Sequence, residues 1–230
     1  MNTFPGFPKE LFTFLKKLSE NNDRTWFNAN KDSYIRYARE PCIAFILAMK
    51  DRLEGISPSY VADTRTNGGS MFRIYRDARF SKNKQPYKEN IGCQFRHVAG
   101  KDVHAPGFYV HIQPNENFVG GGIWLPPSAE LYKIRTAIDK KQIEWLGIKE
   151  FVKKSENISY SPGESLKRPP QGFSADHPLI DDLKQKTFFV GRDFTNKEVT
   201  SPEFIDLVEA VFHDLSPLMR FINEALDLSF

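Results

Sequence analysis

Cysteine is almost missing from this chain of 230 residues, which has only Cys42 and Cys93. They stand far apart, in segments that read as helix and strand. That excludes a disulfide framework and any cysteine-based metal spacing, and it points to a reducing compartment. Long apolar runs are missing too: the longest, Ile43 to Met49, is well short of the roughly 20 residues a spanning helix needs. The N-terminus has no basic stretch ahead of an apolar one and is interrupted at Pro5 and Pro8, so it does not read as a signal peptide. The expectation is a cytoplasmic protein with no membrane association. Neither Gly68-Gly69 nor Gly120 to Gly122 is followed by the Gly-Lys-Ser/Thr of a phosphate loop. The five histidines, His97, His104, His111, His177 and His213, match no zinc spacing. No nucleophile elbow, paired acidic motif or Cys/His dyad stands out, and no cofactor is indicated.

What is present is an ordinary globular composition, 40% hydrophobic and 27% charged, with an unusual 20 phenylalanines that predict an aromatic-rich interior. The pattern predicts one α+β domain over 1–230, in which a central antiparallel meander packs against N-terminal and C-terminal helices. A helical block runs to about 56, with Leu11, Phe12, Leu15 and Leu18 at helical intervals. Pro41 suits the first turn of a further helix carrying Ile43, Ile46, Met49 and Leu53. From 71 to 125 the period changes to two, and strands are expected near 71–77, 88–97, 108–113 and 117–124. Helices and an irregular wrap rich in Ser, Pro and Gly occupy 126–230, with a strand at Thr187 to Gly191 and one closing helix from Phe204 to beyond Leu218.

Charge is mild in total, +3, and uneven in distribution. Between Arg73 and Lys101 eight Lys or Arg face only Asp77 and Glu89, a local balance of +6 on a slightly acidic body. Such a patch focuses anions to one place. Alternation assigns the faces. Phe72, Ile74, Ile91, Cys93, Phe95, Phe108, Val110 and Ile112 are expected to meet the helices. Arg73, Tyr75, Asp77, Lys88, Asn90, Gln94, Arg96, Tyr109, His111 and Gln113 are expected on a polar, basic face, made concave by Gly120 to Gly122. Arg76 has the parity of the apolar side and is expected to find a carboxylate there.

These residue types define a candidate site. Arginine forks and lysine ammoniums bind phosphate or carboxylate, and tyrosines supply rings and hydroxyls. Arg73, Tyr75, Arg76, Arg79, Lys84, Tyr87, Lys88, Asn90, Arg96 and Tyr109 are the ligand-binding candidates. Asp77 and His111 are the candidates for moving a proton. The partner so implied is a phosphate-bearing or other anionic small molecule. The alternatives are a nucleic-acid-binding or protein-interaction module using the same basic hairpin, or a solvated hairpin held by Arg–Asp pairs. Trp26, Lys31 and Tyr34 share roughly one helix side, which core packing with a snorkelling lysine explains.

The stretch RIYRDARFSKNKQPYKEN resembles the signature of the bacterial domain-of-unknown-function family 2461, through Arg73, Arg76, Asp77, Arg79, Phe80, Lys84, Tyr87, Lys88 and Asn90. The earlier NNDRTWFNANKDSY is similar to the family's other recurrent stretch, through Asn22, Arg24, Trp26, Phe27, Asn30, Lys31 and Tyr34; Thr25 departs from it where an acidic residue is common. The resemblance covers nearly the whole chain and implies a single α+β domain. It implies no particular activity.

Overall fold

A computed structural model describes residues 4–79, 82–100, 104–161 and 163–230. Phe80 and Lys101 lie outside the described residues. The helical N-terminal block comprises α1 (Lys9–Glu20), α2 (Arg24–Ala29), α3 (Lys31–Tyr34) and α4 (Glu40–Ile56). The apolar positions counted in α1 pack inward, with Leu11, Leu15 and Leu18 fully buried. Asp23 opens α2 by accepting the Trp26 N–H at 2.9 Å, which satisfies a backbone donor the first turn leaves unpaired.

Between α3 and α4 the helix widens into a π turn, Ile35–Arg39, in which the Glu40 N–H reaches Ile35 O five residues back. Pro41 explains the place. It has no N–H to give Tyr37 and its ring crowds that carbonyl, so the regular spacing fails immediately ahead of it.

Five strands follow: β1 (Ile91–Arg96), β2 (Gly107–Ile112), β3 (Asn117–Ile123), β4 (Ser159–Tyr160) and β5 (Phe188–Phe194). They form one antiparallel sheet in the order β1-β2-β3-β5-β4. Three of the four expected meander strands are present, within a few residues of their expected bounds. The stretch 71–77 is not a regular strand. Met71 bridges Cys93 on the free edge of β1, while Tyr75 bridges Tyr87 in an irregular hairpin closed by Arg76 N to Pro86 O and Lys88 N to Ile74 O. The chain leaves the pleat between those two pairings, so alternation fails there. Phe72 turns to the open face of the sheet, where its ring lies 5.7 Å from that of Tyr109. Ile74 enters the core, and Arg76 is exposed rather than placed beside it.

The C-terminal part contributes α5 (Ser128–Lys140), α6 (Gln142–Lys154), α7 (Ile180–Leu183), α8 (Asn196–Val199), α9 (Phe204–Asp214) and α10 (Ser216–Ala225). The single closing helix of the sequence reading is thus two, separated at Leu215 ahead of Pro217. α4, α9 and α10 cover one face of the sheet. There Phe108 stacks on Phe212 at 4.4 Å, and Phe45, Phe95 and Phe204 complete a phenylalanine-rich core. Gly121 permits the close approach of α10: a β-carbon on it would lie 2.9 Å from Phe108 and 3.3 Å from the Met219 sulfur. Among the described residues no helix is long and apolar enough to cross a membrane.

Candidate functional site

Helices leave the opposite sheet face open, and it is aromatic where alternation predicts basic. Tyr109, His111, Phe118 and Phe189 project from β2, β3 and β5 and, with Phe72, Gly122 and Trp124, line a hollow of about 430 Å³. The Phe118 and His111 rings stack at 4.7 Å and 8°. Phe189 stands edge-on to Phe118 and to Trp124, at 87° and 85°. The space expected above Gly120 is filled by this same Phe189, whose ring lies 2.5 Å from where a β-carbon would be.

His111 is held from both sides. Its Nδ1 lies 3.2 Å from the Tyr109 hydroxyl and 3.4 Å from the Asn90 amide nitrogen, and its Nε2 lies 3.4 Å from Gln113 Oε1. The Tyr109 hydroxyl therefore donates to Nδ1, and Nε2–H donates to Gln113. Burial lowers the imidazole's proton affinity, against the smaller opposing effects of Gln113 and Glu116. Burial pushes the Tyr109 phenol well up, so it stays a donor. To accept a substrate's proton His111 would have to release Tyr109.

A second cavity, of about 220 Å³, opens on the helical side of residues 71–75 and shares Phe72 with the hollow. The π turn supplies Ile35 and Arg39, the turn before Ser70 supplies Arg65 and Thr66, α3 supplies Lys31 and Tyr34, and the hairpin supplies Arg73 and Tyr75. Among the described residues four cations line this cleft and no carboxylate does. Among the described residues Arg65 pairs with Asp63, at 2.6 Å, whereas Lys31, Arg39 and Arg73 make no ion pair. Arg39 donates to Thr66 Oγ1 at 3.3 Å. The Tyr34 phenol is pushed up to about 12, chiefly by burial, and so remains a donor.

The remaining candidates are dispersed. Asp77 and Arg79 hold each other through Nε–Oδ1 at 2.9 Å and Nη2–Oδ2 at 2.7 Å, which keeps the exposed Asp77 carboxyl down at about 2. Lys84 donates to the carbonyl of Ala78 at 3.0 Å within its own loop, and Arg96 donates to the carbonyl of Gly68. Lys88 lies 4.9 Å above the Phe72 ring, its proton affinity lowered by burial and then by Arg73. Tyr87 is buried, stacked on Phe27 at 4.0 Å. Its backbone is bracketed by Asn22, which accepts from Tyr87 N and donates to Tyr87 O, both at 3.1 Å, and which also donates to Glu89 at 3.0 Å. The proton-moving and anion-holding groups named from the sequence therefore do not converge on one point.

Sequence reasoning missed Arg39 and Arg65 and read Lys31 only as a snorkelling lysine, whereas all three line the cleft. Arg39 had a faint signal in the proline two residues later. Arg65 had none. It also missed the cysteines' meeting: read as unrelated, Cys42 and Cys93 bring their sulfurs to 3.0 Å, both buried as free thiols where α4 crosses β1. Their mutual hydrogen bond, then burial, raises the Cys42 thiol well above its ordinary value. Among the described residues no group of three or more His, Cys, Asp or Glu could hold a metal.

An α+β protein with an antiparallel sheet, one helix-covered face, and a cationic cleft beside an aromatic hollow is thus defined. The chain belongs to the family described as "Conserved hypothetical protein (DUF2461)", whose model matches residues 10–221. No curated protein matches it. The two stretches that carry the resemblance meet in space: Asn22 and Phe27 clasp Tyr87, while Lys31 and Tyr34 face Arg73 and Tyr75 across the cleft.

Proposed function

We propose that the protein binds a phosphate-bearing or other anionic small molecule in the cationic cleft, with Lys31, Arg39, Arg65 and Arg73 holding the anion and Tyr34 and Thr66 donating to it. The observation that carries this reading is that, among the described residues, four cations surround one cleft with no acid in its lining and three of them make no ion pair. Like charges gathered in this way repel one another, and a bound anion offsets that repulsion. Guanidinium forks from three directions suit the tetrahedral oxygens of a phosphate. The π turn places Arg39 there, and such turns recur at functional sites. At about 220 Å³ the cleft is smaller than the roughly 300 Å³ where drug-sized pockets begin, so it suits a compact anion or the charged end of a larger molecule.

Thermal unfolding with inorganic phosphate, pyrophosphate and sugar phosphates tests it. At about 100 times Kd a ligand adds roughly 2.7 kcal/mol to stability, a readily measured rise in Tm. Arg73→Ala should weaken binding by about 10- to 100-fold. No stabilisation by any phosphate, or stabilisation unchanged in Arg73→Ala, would sink the reading. Steeply salt-dependent binding of an oligonucleotide without any response to small phosphates would replace it with the nucleic-acid alternative.

A further inference from the structure

The aromatic hollow takes no part in that reading, and its chemistry differs. Its volume of about 430 Å³ falls inside the roughly 300–1,000 Å³ span of small-molecule pockets. Its rings are set at right angles: the parallel Phe118 and His111 pair forms one wall, Phe189 a second, and the half-exposed Trp124 a third. That geometry leaves a flat slot in which a planar ring can meet both faces and edges. Among the described residues no charged side chain lines it, since His111 is neutral and engaged at both nitrogens. A cation nevertheless stands beside it. The Lys88 ammonium sits against the Phe72 ring, itself part of the wall, with no carboxylate in ion-pair reach among the described residues.

We propose that this hollow is a binding site for a small planar aromatic carboxylate, its ring among Phe118, Phe189 and Trp124 and its charge balanced by Lys88. A half-buried ammonium without a counter-ion is held at some expense, which its lowered proton affinity registers. An entering anion removes that expense. One ammonium matches the single negative charge of a carboxylate. The Tyr109 hydroxyl and Ser161 supply the polar edge that orients the ring. The inference is independent of the cleft, because it uses none of the four cations there.

Isothermal titration of the full chain with 2-naphthoate, and with the uncharged 2-naphthalenemethanol, reads the two parts separately. The acid should bind about tenfold more tightly than the alcohol, and Lys88→Met should reduce the acid to the level of the alcohol. Ala105→Trp, which fills the hollow, should abolish binding of both. Trp124→Ala, a change at a half-exposed position that leaves the core intact, should weaken both by about fivefold to tenfold and keeps the test decisive where the filled variant fails to fold. The double variant Arg39→Ala/Arg65→Ala should bind 2-naphthoate as the parent does, even if it has lost phosphate. Failure of 2-naphthoate to bind at about 1 mM overturns the proposal, as does equal affinity for acid and alcohol. So does binding that survives Trp124→Ala unchanged but disappears in the arginine double variant.

Discussion

Phe72 has the cationic cleft on one side and the aromatic hollow on the other, and the two cavities come from the chain in opposite ways. The hollow is built from regular structure. Residues at alternate positions on β2, and their neighbours on β3 and β5, point the same way because the pleat makes them. The cleft is built from irregular pieces, a π turn, two loops and a short helix, and its cations come from positions 31, 39, 65 and 73. The cations that crowd the sequence between 73 and 96 mostly stay apart. Arg79 is closed on Asp77, Lys84 on its own loop and Arg96 on the Gly68 carbonyl. A cluster of charge along a chain is therefore a poor guide to a cluster in space: neighbouring cations repel, and each finds the nearest acceptor.

The comparison breaks most visibly at Tyr87, which holds the hairpin on the helices. Tyr87→Ala removes a buried ring stacked on Phe27 and should cost about 3–5 kcal/mol by urea unfolding. In the surviving folded fraction it should weaken phosphate binding more than 2-naphthoate binding. Asn22→Ala takes away the side-chain half of the same clasp, with an expected loss of about 1–3 kcal/mol.

The hollow is sharpened by acid. Folded His111 takes a proton less readily than its ordinary pKa of about 6.5, so the unfolded chain is protonated first. The folded state is therefore at full strength above that pH. It loses stability as pH falls through about 6.5, until His111 charges in the folded protein as well. Unfolding curves for His111→Gln should lack that part of the decline; an identical pH profile would show that His111 is not held neutral. The smallest effect belongs to Asp77, which lines neither cavity. Its carboxyl is depressed to about 2 by Arg79, so what it adds is present above its ordinary range and is lost only as pH falls toward 2. Asp77→Asn should leave neutral-pH melting and phosphate affinity nearly unchanged, with any difference from the parent vanishing in strong acid.

Much of the fold was legible. The central strands β1, β2 and β3 could be read from period two, α1 and α4 from their apolar spacing, and the aromatic core from 20 phenylalanines. The candidate site was legible by composition and not by place. Tyr109, His111 and Asn90 do adjoin one another, and Lys88 reaches Tyr109 only by way of the Phe72 ring, but Arg73 and Tyr75 face the other cavity. The error began with a strand assumed to run straight through 71–77. One departure from the pleat reversed Phe72 and exposed Arg76, and parity counted across it could only mislead.

By itself, the amino-acid order determined the α+β class, the apolar faces of β1 and β2 and the family to which the chain belongs. All of these are short-range patterns, set by backbone period and side-chain type. Tertiary structure alone decided that Lys31 and Arg39 meet Arg65 and Arg73, that Cys42 reaches Cys93, and that the open sheet face is a ring-lined slot rather than a basic plate. The reason is that hydrophobic burial positions whole elements without regard to the charges they carry. Which polar groups then face each other depends on packing angles and loop paths that no local spacing encodes.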